Sequence, residues 1–158
     1  KYAAVDAQMK QIGLDAAELG HTLSALVDAD ARAYTAVSNA YKLPKEPSDA
    51  GVRRAEAITE ALLGASRVPL ETARACARVA ELASIVATKG NTNAVSDAGV
   101  AALLAEAACR GAAYNVRINI GALEDKSRGA ALVDEARELV SRTTSLAAQA
   151  IAAVEAAM

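Results

Sequence analysis

A carboxylate stands where an apolar side chain is expected. In the run Leu26-Val27-Asp28-Ala29-Asp30-Ala31-Arg32-Ala33-Tyr34, helical spacing puts Asp30 on one face with Leu23, Leu26, Val27, Tyr34, Val37 and Tyr41. On this reading Asp30 faces inward. Asp28 lies roughly 200° around the axis and faces out, with Arg32 one turn on as its ion-pair partner. An apolar wall strips hydration from a carboxyl group, disfavours its charged form and raises its pKa toward the range where protons are exchanged. Asp30 is therefore a candidate general acid/base. The competing reading is a structural carboxylate, hydrogen-bonded to Tyr34 or to a neighbouring helix.

Other polar residues carry the same double reading. Asn115 and Asn119 are one helical turn apart, so their amides can bind a polar ligand or tie two helices together. Asp97 follows Ser96 where a helix begins, which suits capping as well as a pocket rim, and Asn91 and Asn93 share that ambiguity. Lys42 and Lys45 bracket Leu43-Pro44 and suit either solvent or the acidic tail of a ligand. His21, the sole histidine, has no Cys or second His at metal-ligand spacing and reads as surface, with no metal site. Cys76 and Cys109 fall on apolar patterns and read as buried, reduced thiols.

These residues need helices to hold them. Alanine makes up about a quarter of the 158 residues, Phe and Trp are absent, and only three prolines occur, a composition that favours helix over sheet. The periodicity predicts a first helix over about 2–41, with an interruption near Gly13 or Gly20, ended by Pro44 and Pro47. A second, opened by Ser48-Asp49, carries Val52, Ile58, Leu62 and Leu63 inward and stops between Gly64 and Arg67. Pro69 starts a third, which reaches Lys89 through Ala73, Cys76, Ala80, Ala83 and Ala87, with Gly90 as its stop. Ser96-Asp97 caps a fourth, running through Val100, Leu104, Ala107, Gly111, Asn115 and Ile118 to about Ile120. The fifth spans Lys126 to about Met158, with Leu132, Leu139, Leu146 and Val154 among its buried positions. The expected fold is all-α, an up-and-down bundle of about five long helices in a single domain over 1–158. Its thin core predicts completion by a dimer partner.

A net charge of −2, with no basic stripe, argues against nucleic-acid binding. Charges such as Glu106 and Arg110 interrupt the apolar stretches, so no membrane span is expected, and the reduced cysteines point to the cytoplasm.

The phrase around Asp30, then Lys42-Leu43-Pro44-Lys45, Val68-Pro69-Leu70, Lys89-Gly90-Asn91 with Ser96-Asp97-Ala98-Gly99-Val100, and Tyr114-Asn115-Val116-Arg117-Ile118-Asn119 occur in one order over nearly the whole chain. In that order the chain resembles the formimidoyltetrahydrofolate cyclodeaminase and methenyltetrahydrofolate cyclohydrolase family. The resemblance implies an all-helical homodimer, a tetrahydrofolate substrate, no metal and no cofactor beyond that substrate. It also implies that Asp30, the second Asp of the Val-Asp-Ala-Asp phrase, is catalytic. Family members usually carry an upstream glycine-rich segment and helix, which are expected to be missing from this sequence. Within that frame Asp30 is the expected proton shuttle of a cyclodeaminase, with cyclohydrolase as the alternative and a noncatalytic folate-binding or dimerisation module as a second one. Asn115, Asn119, Asp97, Tyr34 and Lys42 are the expected substrate-binding residues.

Overall fold

Pro69 governs the architecture. A proline has no backbone N–H to donate to the carbonyl four residues back, so its place within a helix is normally an end. Here Pro69 is buried inside one uninterrupted helix, Ser48–Lys89, and the carbonyl it leaves without its usual donor is that of Ala65. Asn119 supplies the replacement. Its Nδ2 donates to the Ala65 carbonyl oxygen at 2.9 Å from another helix. The second and third helices expected from the sequence are thereby one.

The computed structural model describes residues 3–158. It holds four helices, α1 (Asp6–Tyr41), α2 (Ser48–Lys89), α3 (Val95–Gly121) and α4 (Ala130–Ala157), with 3-10 turns at Ala3–Val5, Thr92–Ala94 and Lys126–Gly129. No strand occurs among the described residues. The expected start of the first helix at Tyr2 lies outside them, and neither Gly13 nor Gly20 interrupts α1. Helix α3 begins at Val95, before the expected Ser96-Asp97 cap, because the preceding 3-10 turn leads directly into it. Asn91 does the capping instead, accepting from the Asn93 N–H at 3.1 Å, while Asp97 stands exposed in the first turn, where the helix field favours an acid.

Small side chains build the core. Ala83, Ala102, Ala147 and Ala150 join α2, α3 and α4 at one end. Leu62, Leu63, Leu70, Val116, Ile120 and Leu123 fill the other. Cys76 and Cys109 lie buried between them with Ala73 and Ala112, as expected for structural thiols. Burial pushes the Cys76 thiol up to about 11, with the neighbouring Cys109 adding to the rise. Two glycines mark close approaches: a Cβ on Gly99 would stand 2.7 Å from Val154 Cγ2, and one on Gly129 would overlap Ile120. Arginines then tie α4 and the 3-10 turn before it to α2, with Arg74 gripping Glu135 through two 2.6 Å contacts, Arg142 reaching Glu81, and Arg128 of the turn reaching Glu56 and Glu60.

Two expected core faces are corrected. Val52 is exposed, and on α3 the stripe Val100, Leu104, Ala107, Gly111, Asn115, Ile118 points away from the bundle. The buried face of α3 is instead Ala98, Ala102, Ala105, Cys109, Ala112, Val116 and Ile120. This helix is apolar on both sides, and the smaller side chains are inside because they let α2 and α4 come near.

Candidate functional site

Helix α1 rests on α2 along a narrow line of Met9, Ile12, Leu19, Leu23, Leu26, Ala33, Val37 and Ala40, and only Ile12 and Ala40 of its 36 residues are fully buried. Leu23 packs against the cluster of Ala73, Cys76, Cys109 and Ala112, while Val37 packs against the cluster holding Leu62, Leu63, Val116 and Ile120. Helices α1 and α3 therefore run alongside each other in the same direction, with α2 between them. A groove separates them. At its upper end Ile12, Ala16, Gly20 and Leu23 face Ala98 and Ala101 over a floor of Val79, Leu82, Ala83 and Val86, enclosing about 300 Å³.

Asp30 lies midway along α1 between Leu23 and Val37. It is exposed, which corrects the inward position expected from its stripe. That stripe is wider than the single helix beneath it can cover. Leu23, Leu26 and Val37 meet the bundle, whereas Val27, Asp30, Tyr34 and Tyr41 on its flank stay open, Tyr34 at 75% exposure. No wall of this chain strips the Asp30 carboxylate of water. Asp28 also faces out, as expected, but forms no ion pair with Arg32.

The two amides part company. Asn115 is exposed on α3, and its amide donates only to its own helix, to the Gly111 carbonyl at 3.3 Å. Asn119 is half-buried and occupied at Ala65 through one of its N–H groups. Asp97, in the first turn of α3, is about five helical turns from Asn115. Lys42 closes the C-terminus of α1 through its backbone N–H, with its side chain in solvent, and Lys45 is likewise exposed. His21 sits on the surface. No group of three or more His, Cys, Asp or Glu residues able to hold a metal occurs among the described residues, and no helix there is long and apolar enough to cross a membrane.

One set of residues escaped the sequence reading. Arg110, Arg117 and Arg137 converge with Tyr114 on a cleft of about 380 Å³ between α3 and α4. The seven-residue spacing of Arg110 and Arg117, in a helix otherwise poor in charge, was the available signal.

Residues 1–138 match the model of the formiminotransferase-cyclodeaminase family. The chain belongs to that family. Relatives of two kinds are found. The chain is 45% identical to the methenyltetrahydrofolate cyclohydrolase of Methylorubrum extorquens over 127 residues, which is 80% of this chain and 61% of that protein. It is 33% identical to the formimidoyltransferase-cyclodeaminase of Sus scrofa over 156 residues, 99% of this chain and 29% of that much longer protein. Among solved structures, the formiminotetrahydrofolate cyclodeaminase of Thermotoga maritima shares the fold, with a TM-score of 0.87 at 24% identity over 98% of this chain and 73% of that one. The chain thus spans less than two thirds of the curated relatives it matches.

Proposed function

We propose that this member of the formiminotransferase-cyclodeaminase family is the helical unit of a folate one-carbon enzyme acting on the methenyl bridge of tetrahydrofolate, with Asp30 as its proton-exchanging group. The observation that carries the reading is the setting of Asp30. It is an accessible carboxylate flanked on α1 by the exposed Val27 and Tyr34, and we assign the exposed Asn115 amide of α3 to the same ligand. A flat, cationic heteroaromatic ring fits that combination: Val27 and Tyr34 offer it apolar and aromatic surface, Asn115 a hydrogen bond, and Asp30 a counter-charge.

The 45% identity to a cyclohydrolase favours hydrolysis over the cyclodeaminase reaction expected from the sequence motifs. In hydrolysis, water adds to the methenyl carbon as Asp30 takes one of its protons. The bond from that carbon to the ring nitrogen then breaks, its electron pair returns to nitrogen, and the nitrogen collects the proton from Asp30. The second water proton leaves to solvent as the formyl carbonyl forms, so one proton is released per turnover. The second reading is cyclodeamination, favoured by identity to a formimidoyltransferase-cyclodeaminase along almost the whole chain. There the bridge nitrogen attacks the formimidoyl carbon and Asp30 protonates the departing ammonia. Supplying methenyl- and formimidoyltetrahydrofolate separately decides between them: absorbance loss of the methenyl ring without ammonia marks hydrolysis, and ammonia release marks the other. Inactivity of the chain together with its natural flanking sequence toward both would overturn the proposal.

We further propose that two copies pair through α3. Its outward residues Val100, Leu104, Ala107, Gly111, Tyr114 and Ile118 recur at alternating spacings of four and three, the pattern of a helix that seats against another helix. Val100, Leu104 and Ile118 are 55%, 66% and 67% exposed in the single chain, a continuous apolar strip that a second copy would cover.

A further inference from the structure

The two cysteines meet inside the seam between α2 and α3, and nothing in the proposed reaction uses them. These helices are antiparallel and hold one register. Ala73, Cys76, Cys109 and Ala112 share a buried cluster; seven residues on along α2 and seven back along α3, Ala83 and Ala102 share the next. Cys76 is therefore opposite Cys109, as Ala73 is opposite Ala112 one turn away.

Methyl-sized neighbours bring the two backbones together. Ala73 and Ala80 of α2 and Ala102 and Ala105 of α3 are all buried, and helices that meet through alanine pack at the close end of the usual ~8–10 Å between axes. With Cα atoms about 2.3 Å from each axis, residues facing each other at that spacing stand about 4–6 Å apart at Cα. A disulfide spans ~4.4–6.8 Å between Cα atoms. The register therefore suits a covalent link.

The surroundings select the product. Cys76 and Cys109 are 3% and 0% exposed. Leu23 of α1 and Leu139 and Val140 of α4 pack against the cluster, and the Thr143 hydroxyl is 3.5 Å from the Cys109 sulfur. The sequence contains no third thiol. Burial holds both thiols in their protonated form, which makes them slow nucleophiles. A reagent must be small to reach them, and each sulfur has the other as its nearest thiol partner.

We infer that Cys76 and Cys109 are a modification site, a staple between α2 and α3 that a small hydroperoxide closes. With hydrogen peroxide, the first sulfur gives an electron pair to one oxygen; the O–O bond breaks, and hydroxide leaves with the thiol proton as water. A sulfenic acid remains. The second sulfur attacks it, the S–S bond forms, the S–O bond breaks, and the departing hydroxide carries off the second thiol proton as another water. Together the sulfurs lose two electrons and the peroxide becomes two waters. The staple stands apart from the folate reading and holds whether or not Asp30 exchanges protons.

Mass analysis of the native protein after incubation with hydrogen peroxide tests the site. The expected product is a single chain lighter by two hydrogens, in which the peptides holding Cys76 and Cys109 stay joined until dithiothreitol is added. Neither Cys76→Ala nor Cys109→Ala should give it, and both should keep the parent's helical circular dichroism, since alanine already fills the neighbouring positions. A second measurement needs no variant and separates fit from access: the chain is oxidised while unfolded in denaturant and then refolded. A link that suits the native register should raise the folding equilibrium constant on the order of 10²-fold over the reduced chain, through the loop it closes. An unchanged mass after peroxide, added oxygen without the link, linkage between separate chains, or an oxidised chain no more stable than the reduced one would each overturn the inference.

Discussion

Helix α1 and the three-helix unit of α2, α3 and α4 are built on opposite terms. Helix α2 buries fourteen of its 42 residues, mostly alanine and leucine, and is cross-tied to α4 and the 3-10 turn before it by arginine–glutamate pairs. Helix α1 buries two of 36 and is fastened at its ends: Arg78 holds Asp15 at 2.8 Å, and Arg54 donates to the Tyr41 carbonyl at 3.2 Å while its guanidinium lies 5.8 Å from that ring. The carboxylate proposed for chemistry is on the less buried element. On that proposal, dense packing and proton exchange belong to different helices.

Substitution at Asp30 should break this contrast most sharply. We expect Asp30→Asn to lower turnover by roughly 10²- to 10⁴-fold, as for loss of a general acid/base, while the unfolding free energy moves by less than about 0.5 kcal/mol because the side chain is exposed. Loss of stability with activity retained would make Asp30 a structural carboxylate after all. Next in size is Leu104→Arg. A charge in the outward strip of α3 should turn a dimer into a monomer in light scattering at micromolar protein, and a parent chain that is already monomeric there would remove the pairing proposal.

The three-helix unit is probed by the pair Asn119 and Pro69. Asn119→Ala takes the replacement donor from the Ala65 carbonyl and should cost about 1–3 kcal/mol in denaturant unfolding. In a Pro69→Ala background, where a backbone N–H is restored to that carbonyl, the same substitution should cost distinctly less. Additive costs would show that the Asn119 bond does not compensate for the proline.

The smallest effect concerns Glu135. The hydrogen bond from Arg74 outweighs the upward push of burial and holds its carboxyl below the usual carboxylate range. A lowered folded value contributes stability above the unfolded pKa, and this contribution is lost as pH falls through the folded one. The parent should therefore lose stability below about pH 4.5 more steeply than Glu135→Gln, by up to ~1 kcal/mol for a pair this exposed. Parallel stability curves across that window would refute the assignment.

Much of this plan is legible in the residues. Loops at Pro44-Pro47, Gly90-Asn91 and Gly121-Asp125 are punctuated by local chemistry, and the helices between them follow. What escaped reading depends on partners distant in sequence. Pro69 looks like a boundary until Asn119, 50 positions on, is known to satisfy the carbonyl behind it. Asp30 looks buried because its stripe is apolar, yet one supporting helix covers only part of that arc. On α3 two apolar faces compete, and only the close fit of Gly99 against Val154 and of the alanine layer shows which is inside. The motifs themselves led to the family correctly, although they did not reveal the arginine cleft.

The alanine layer also has a thermal consequence. Because so many interior positions are methyl groups, unfolding a single chain releases less greasy area into water than a leucine-rich interior of equal length. The heat-capacity increment scales with that area, so the isolated subunit should fall below the usual ~12–15 cal/mol/K per residue and show a shallow stability dome, nearly level across ambient temperatures.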